Sequence, residues 1–218
     1  MKSVKNAIRT VAATGTAIAL MTGLQVFAAT DSDWSQVINA GSQSVDIVDD
    51  TGAAVANPAV TFGALTYDFD TQDGTGTFGI STEKVRVYNP TSTATWTVNI
   101  AGSATTAVWT DGGSNTYDFN DVNGYTDGAD TDSVGGQLTI DPSGGSISGV
   151  SGCATTNISA GTSDAFEEGT VDSIDLLAAA SGAPTFCRWD YTGASLSQGI
   201  PAAQVAASYA INMVVSIQ

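Results

Sequence analysis

The chain contains no histidine, only two cysteines and only six basic residues among 218. The absence of histidine excludes metal sites built on imidazole and hydrolases that use a Ser-His or Cys-His pair. Charged residues make up only 13% of the chain, whereas it contains 22 Ser, 29 Thr and 24 Gly. This composition favours short strands and tight turns over helices, which are richer in Ala, Leu, Glu and Lys. We therefore expect an all-β protein, and a hydrophobic content of 42% is enough for a packed core.

The N-terminus has the pattern of a secretory signal peptide. Basic residues at positions 2, 5 and 9 precede an apolar, Ala-rich stretch from Val11 to Phe27, and small residues follow it. We expect residues 1–28 to form the signal peptide, with cleavage after Ala28. A transmembrane anchor is the alternative, although polar residues such as Thr14 and Thr22 make the stretch weak for that purpose. No later segment is apolar for long enough to span a membrane, so the mature chain is expected to have no membrane span.

The predicted mature chain is strongly acidic. Residues 29–218 keep three basic residues, Lys84, Arg86 and Arg188, against all 22 acidic ones, which gives a net charge of −19. Such a surface repels nucleic acid and anionic lipid, so we expect no nucleic-acid partner. It attracts divalent cations or cationic polymers. The alternative is that the charge only provides solubility and resistance to self-association outside the cell.

The two cysteines agree with export. Cys153 and Cys187 both lie in the predicted mature region. An even number of cysteines in an exported chain indicates a disulfide rather than a redox or metal site. The alternative is a pair of buried free thiols.

Alternating hydrophobicity with β-branched and aromatic residues predicts eleven short strands. Together with the turn signals between them, these segments predict a single antiparallel β-sandwich from about Ser42 onward, within a mature domain of residues 29–218. Ile174–Ala180 fits a short helix as well as a strand, and Pro201–Ala207 fits a helical turn. The predicted strands are Gln43–Val48, Val60–Phe69, Thr75–Ile80, Lys84–Asn89, Thr95–Ala101, Thr106–Thr110, Gln137–Asp141, Ser146–Val150, Ser173–Ala178, Cys187–Gly193 and Ser208–Gln218.

A polar stretch at about residues 111–136 interrupts the hydrophobic alternation. Long loops without their own secondary structure are usually functional or disordered. Carboxylates in a Gly-rich loop supply the oxygen ligands that Ca²⁺ prefers, so calcium is the one candidate cofactor. A solvated surface loop is the alternative. The candidate calcium ligands are Asp118, Asp121, Asp127, Asp130 and Asp132.

The sequence gives little support for an enzyme. Two carboxylates on a sugar-binding cleft are enough for glycoside hydrolysis, and tryptophans stack on sugar rings. However, aromatic residues in a sandwich more often pack in its core, and no phosphate-binding loop or nucleophile elbow is found. We therefore expect a non-enzymatic protein. The four tryptophans are Trp34, Trp96, Trp109 and Trp189.

The order of several segments resembles that of the WxL-domain surface proteins of bacteria. Val60-Thr61-Phe62-Gly63-Ala64-Leu65 is similar to an early Phe-Gly turn of the family. Lys84–Asn89 followed by Trp96-Thr97-Val98-Asn99-Ile100 resembles the strand that leads to the first Trp-x-Leu motif, with Val98 in place of Leu. Further similar segments follow in the family's order, and they span most of the mature chain: Leu138–Ile140, Leu176–Ala179, Leu196–Ala202 and Tyr209–Val215.

This resemblance implies a secreted protein of the cell surface that attaches non-covalently to cell-wall glycan or peptidoglycan. It also implies a wall-binding motif. The residues at the motif positions are Trp96, Val98, Tyr209, Met213 and Val215.

A fainter similarity is to the camelysin and TasA group of secreted β-sandwich fibre subunits, in which a signal peptide is followed directly by a strand like Ile38–Ile47. It implies a self-assembling fibre or surface-lattice subunit, whose partners are copies of itself. Edge strands such as Gln43–Val48 and Ser208–Gln218 would then pair with neighbouring copies.

Overall fold

The computed structural model describes residues 35–128 and 132–218. The predicted signal peptide, residues 1–28, lies outside the described residues, as do Trp34 and Asp130. The chain divides into two units after Asn39. Residues 35–39 have no regular secondary structure, and the unit Ala40–Gln218 contains all of the described strands.

The expected all-β class is confirmed. The only helical element among the described residues is a 3₁₀ turn at Val150–Gly152. The strands are β1 Ser44–Val48, β2 Gln72–Phe78, β3 Lys84–Asn89, β4 Trp96–Gly102, β5 Trp109–Thr110, β6 Thr116–Tyr117, β7 Gln137–Asp141, β8 Ser146–Gly149, β9 Ile158–Ala160, β10 Asp164–Ala165, β11 Ser173–Ala179, β12 Cys187–Thr192, β13 Ala194–Ile200 and β14 Met213–Ile217.

The strands form three four-stranded sheets and a small hairpin of β5 and β6. Sheet 1 has the order β1-β3-β12-β8, sheet 2 the order β10-β7-β13-β2, and sheet 3 the order β14-β4-β11-β9. Every neighbouring pair is antiparallel, as expected.

Sheets 1 and 2 are two halves of one bent sheet. The strands β12 and β13 are separated only by Gly193, and β12 pairs with β3 and β8 while β13 pairs with β2 and β7. Gly193 has φ 94°, and its N–H lies 3.2 Å from the Phe78 carbonyl and 2.7 Å from that of Gly79, which has φ 76°. Both glycines have a conformation that other residues adopt only with strain, so they allow the bend.

One buried cluster joins all three sheets. Trp189 and Tyr191 of β12, and Ile140 of β7, are completely buried in it. Sheet 3 contributes alternate residues of β4, as expected for a strand with one face in a core. In β11 a register shift between Asp175 and Leu177 interrupts the alternation, so two consecutive leucines are buried. The residues of these two strands in the cluster include Trp96, Val98, Ile100, Ile174, Leu176 and Leu177.

Several predicted strands differ from the structure. The prediction of a strand at Val60–Phe69 is wrong: only a single backbone bond, from Gly63 to the Thr75 carbonyl at 2.9 Å, links this segment to β2, and residues 63–71 are exposed. The predicted strand Thr106–Thr110 is reduced to the two residues of β5, and Ser208–Gln218 to the five of β14. The strand β13 was not predicted, because its buried face includes the polar Gln198.

The ambiguous segments are resolved in favour of β-structure and turns. Ile174–Ala179 belongs to β11, which pairs with both β4 and β9. Residues 201–207 contain turns and bends but no helix.

The predicted Cys153–Cys187 disulfide is confirmed. It joins the residue after the 3₁₀ turn to the first residue of β12, across a sequence separation of 34. Both cysteines are half-buried and pack against the core cluster. The disulfide therefore ties the segment that follows β8 to β12, one of the two central strands of sheet 1.

We predict that replacing both cysteines by alanine lowers the free energy of unfolding by about 3–4 kcal/mol, since the loop no longer restricts the unfolded chain. Urea denaturation of the oxidised protein and of the double variant measures the difference. Reduced wild-type protein is the control and should lose a similar amount. Equal midpoints for the oxidised protein and the variant would contradict the prediction.

Candidate functional site

Two adjoining cavities form an apolar cleft at the edge of the sandwich. The first, of about 480 Å³, lies between β1, β14 and residues 58–62. The second, of about 510 Å³, lies between residues 60–72 and residues 198–209. Both are lined by Val60, Phe62, Trp109 and Tyr209, and we use these four residues to define the apolar cleft. Volumes of this order are typical of ligand sites.

A row of aromatic rings forms the floor of the apolar cleft. The Phe62 ring lies edge-on to Trp109 at 5.3 Å, Trp109 stacks on Tyr117 at 5.7 Å, and Tyr117 meets Tyr209 edge-on at 5.0 Å between centroids. These are favourable arrangements for aromatic pairs. Burial raises the pKa of Tyr117, because its phenolate form is poorly solvated there.

Buried amide groups fix this floor in place. The Trp109 indole donates a hydrogen bond to Gln198 Oε1 at 2.8 Å, and Gln198 Nε2 donates to the carbonyls of Asp118 and Gly199 at 2.9 and 2.8 Å. Gln198 is only 1% exposed. Its polar atoms are thus satisfied, and they hold Trp109 in one orientation.

The rim of the apolar cleft exposes large hydrophobic side chains. Phe69 is 79% exposed, and Leu65, Tyr67 and Ile80 are each 47% exposed. Val205 on the opposite segment is 50% exposed. Ile80 lines the first cavity, Leu65, Tyr67 and Val205 line the second, and the Phe69 ring lies 5.3 Å from that of Tyr67. Exposed apolar side chains around a cleft typically mark a contact surface. Leu65, Tyr67 and Phe69 belong to the alternating pattern of residues 60–69 that predicts a strand. In the structure this pattern forms part of an exposed surface instead.

The structure divides the predicted wall-binding residues into two groups. Trp96 and Val98 lie on β4 and are 3% and 0% exposed, so their side chains pack in the core. Tyr209, Met213 and Val215 are half-buried and line the first cavity together. Three of the five residues therefore lie on one wall of the apolar cleft.

Four of the five predicted calcium ligands, Asp118, Asp121, Asp127 and Asp132, are described, and the loop around them is more structured than its sequence indicates. Residues 117–121 are buried, and Phe119 belongs to the core. The buried Asp121 accepts hydrogen bonds from the backbone N–H groups of Asn123 and Gly128, at 2.7 and 2.8 Å. These bonds close the turn, as aspartates commonly do next to glycine.

The other candidate ligands are distributed along the same loop. Asp118 is buried and accepts a hydrogen bond from the Phe119 N–H at 2.6 Å. Asp132 accepts one from the Val134 N–H at 3.0 Å, and Asp127 is exposed. Within the described ranges, no three His, Cys, Asp or Glu side chains are grouped as a metal ion would require. The calcium site stays a prediction.

The calcium hypothesis predicts that millimolar Ca²⁺ raises the melting temperature relative to chelator. Binding to the folded form alone would contribute about 2.7 kcal/mol at a hundredfold excess over Kd. Calorimetry in the two buffers measures the shift, with Mg²⁺ as the control for general screening. Identical melting curves in chelator and in Ca²⁺ would exclude a stabilising calcium site and favour the alternative of a solvated surface loop.

Partly exposed carboxylates elsewhere also hold turns. Asp49 accepts hydrogen bonds from the hydroxyl and N–H of Thr51, and Asp111 accepts from the side-chain amide of Asn115. Asp141 accepts from the hydroxyl and N–H of Ser143. These bonds hold the pKa of Asp49, Asp111 and Asp141 below the usual range, because they favour the charged form.

Two of the three cations of the predicted mature chain bond to one carboxylate. Arg86 on β3 binds Asp190 on β12 through two hydrogen bonds, of 2.6 and 2.9 Å, and Lys84 Nζ lies 3.1 Å from the same carboxylate. Burial acts to raise the pKa of Asp190, but the bonds and charges of Arg86 and Lys84 outweigh it, and that pKa lies below the usual range. Asp190 in turn raises the pKa of Arg86.

We predict that Asp190→Asn lowers the free energy of unfolding by about 3–5 kcal/mol at neutral pH, since it leaves Arg86 buried without its carboxylate. The exposed Asp175→Asn, on β11, is the control and should have little effect. Denaturation with urea at several pH values measures both.

The pH dependence of this difference follows from the low native pKa of Asp190. The stability that its ionised form contributes is complete above the ordinary pKa of 3.8 and is lost as the pH falls through the native value. The difference in the free energy of unfolding between wild type and Asp190→Asn should therefore become smaller as the pH falls. A difference in unfolding free energy that stays constant until the protein unfolds in acid would contradict this account.

Comparisons with known proteins identify no relative. The chain matches no protein-family model, no curated protein and no solved structure. Among residues 35–128 and 132–218, no helix is both long enough and apolar enough to cross a membrane.

Proposed function

We propose that this protein is a secreted, non-enzymatic surface or envelope protein that is held non-covalently at the cell wall or acts in adhesion. One observation carries the proposal: Tyr209, Met213 and Val215, from the distal part of the predicted wall-binding motif, lie together in the apolar cleft. The rim of the cleft exposes apolar side chains that a bound partner would cover.

Two further features support the proposal. The Cys153–Cys187 disulfide fits an oxidising compartment outside the cytoplasm. The net charge of −19 over residues 29–218 suits a surface that remains dispersed outside the cell.

A self-assembling fibre or lattice subunit is the second candidate function. It is favoured by the positions of β1 and β14, because each is the outermost strand of its four-stranded sheet. Edge strands offer backbone groups to which another chain can add.

We predict that the mature protein pellets with isolated cell walls and that Ile80→Ser weakens this binding about fivefold, the effect of about 1 kcal/mol of lost apolar contact. Ile80 lines the first cavity and is 47% exposed, so its replacement should preserve the fold. The control is Val122→Ser, which is exposed and lies outside the cleft. Quantification of the bound fraction checks the prediction.

Negative-stain electron microscopy of the unbound fraction tests the second candidate. Ordered filaments or sheets without wall material would favour the subunit function over wall attachment. Release of reducing sugars from a panel of glycans would overturn the non-enzymatic assignment. Equal wall binding by Ile80→Ser and Val122→Ser would show that the cleft is not the attachment surface.

A further inference from the structure

One wall of the apolar cleft is the outer edge of β14, which has no hydrogen-bonded strand beyond it in its sheet, although β1 lies near it. The end of β14 is fixed by Gln218, which exchanges two backbone hydrogen bonds of 2.9 Å with Thr97 of β4. Because the bonded pairs of an antiparallel ladder alternate, the backbone groups of Met213, Val215 and Ile217 point away from β4. They form a row to which an extended chain can bond.

The space beside this edge is suited to apolar side chains of an added strand. Ile47, Ile100 and Leu196 are among the residues that line the first cavity, together with Met213 and Val215. Side chains of a strand alternate between its two faces. One face of an added strand would thus lie in the cavity, and the other would face solvent.

The charged side chains that the described part of the chain brings to the cleft are all negative. Asp46 and Glu83 line the first cavity, and Asp68 and Asp70 line the second. Among residues 35–128 and 132–218, none that lines either cavity is Lys or Arg. The exposed side of a bound segment is therefore best matched by basic residues.

A second copy of this chain supplies few such residues. Lys84 and Arg86 already bond to Asp190, which leaves Arg188 as the third basic residue of the predicted mature chain. Two copies would also carry the same large negative charge, which opposes their association. The charge distribution favours a partner that is a different molecule.

We propose that the apolar cleft binds an extended segment of a different protein in which basic and apolar residues alternate, and that this segment adds as a strand to β14. The proposal rests on the function proposed above, in which the cleft is the attachment surface. It names a polypeptide rather than a glycan as the partner at this site.

The test is a calorimetric titration of the mature protein with a synthetic peptide of about eight residues that alternates lysine and valine, long enough to cover β14. We expect this peptide to bind more tightly than a block peptide of the same composition, which has no apolar face. The same alternating peptide with N-methyl groups on alternate residues should lose binding, because one edge no longer donates hydrogen bonds. A glutamate–valine peptide should not bind.

Two matched variants place the binding at the cleft. Asp46 on β1 and Asp164 on β10 are both exposed, and each accepts one hydrogen bond of 2.9 Å from the next N–H. Only Asp46 lines the cleft. Asp46→Asn should weaken binding of the lysine–valine peptide about twofold to fivefold at low salt, and Asp164→Asn should leave it unchanged.

Several outcomes would overturn the inference. Equal affinity for the alternating and block peptides, or binding that survives N-methylation, would exclude strand addition. Equal effects of Asp46→Asn and Asp164→Asn would reduce the interaction to general charge attraction. If soluble glycan displaces wall-bound protein and the lysine–valine peptide does not, the cleft binds a glycan rather than a polypeptide. Since the titration contains no wall material, its failure and the failure of wall attachment are separate results.

Discussion

The bend at Gly193 is the constraint on which the rest of the architecture depends. At this point one strand leaves sheet 1 as β12 and enters sheet 2 as β13, and both neighbouring chains cross the bend beside it. The bent sheet places Trp189 and Tyr191 on one side of the bend, and Leu196 on the other, in the same core as sheet 3. The edge strands β1 and β14 lie at one side of the molecule, and the first cavity of the apolar cleft lies between them.

The electrostatics of the molecule are organised by a shortage of cations. Arg86 and Lys84 are committed to Asp190, and the chain has only six basic residues against 22 acidic ones. The structure uses several of the carboxylates as acceptors for nearby backbone N–H groups, as at Asp49, Asp111 and Asp121. An aspartate in such a turn is stabilised by hydrogen bonds and does not need a counter-ion. An acid-rich sequence can therefore reflect turn formation as well as metal binding.

Sequence patterns predicted the fold class, the disulfide and most of the longer strands. Hydrophobic alternation within a segment and an even number of cysteines can both be recognised without knowledge of the tertiary contacts. They did not predict β13, since a buried strand that contains Gln198 and Gly199 resembles a polar loop until the hydrogen bonds of Gln198 are known. They also predicted a strand at residues 60–69. The hydrophobic alternation is present there, but the segment does not form a continuous series of backbone hydrogen bonds with β2. The apolar cleft arises from segments distant in sequence, and of the predicted wall-binding residues only Tyr209, Met213 and Val215 line it.

The disulfide also has a mechanical consequence. Its covalent loop contains β9, β10 and β11, so it includes a central strand of sheet 3. When the molecule is pulled from its ends, the 34 residue steps between Cys153 and Cys187 cannot extend, which removes about 110 Å from the length of the stretched chain. Under tension the protein would lengthen only through the parts of the chain outside this loop, and β11 would remain within a closed ring of covalent bonds.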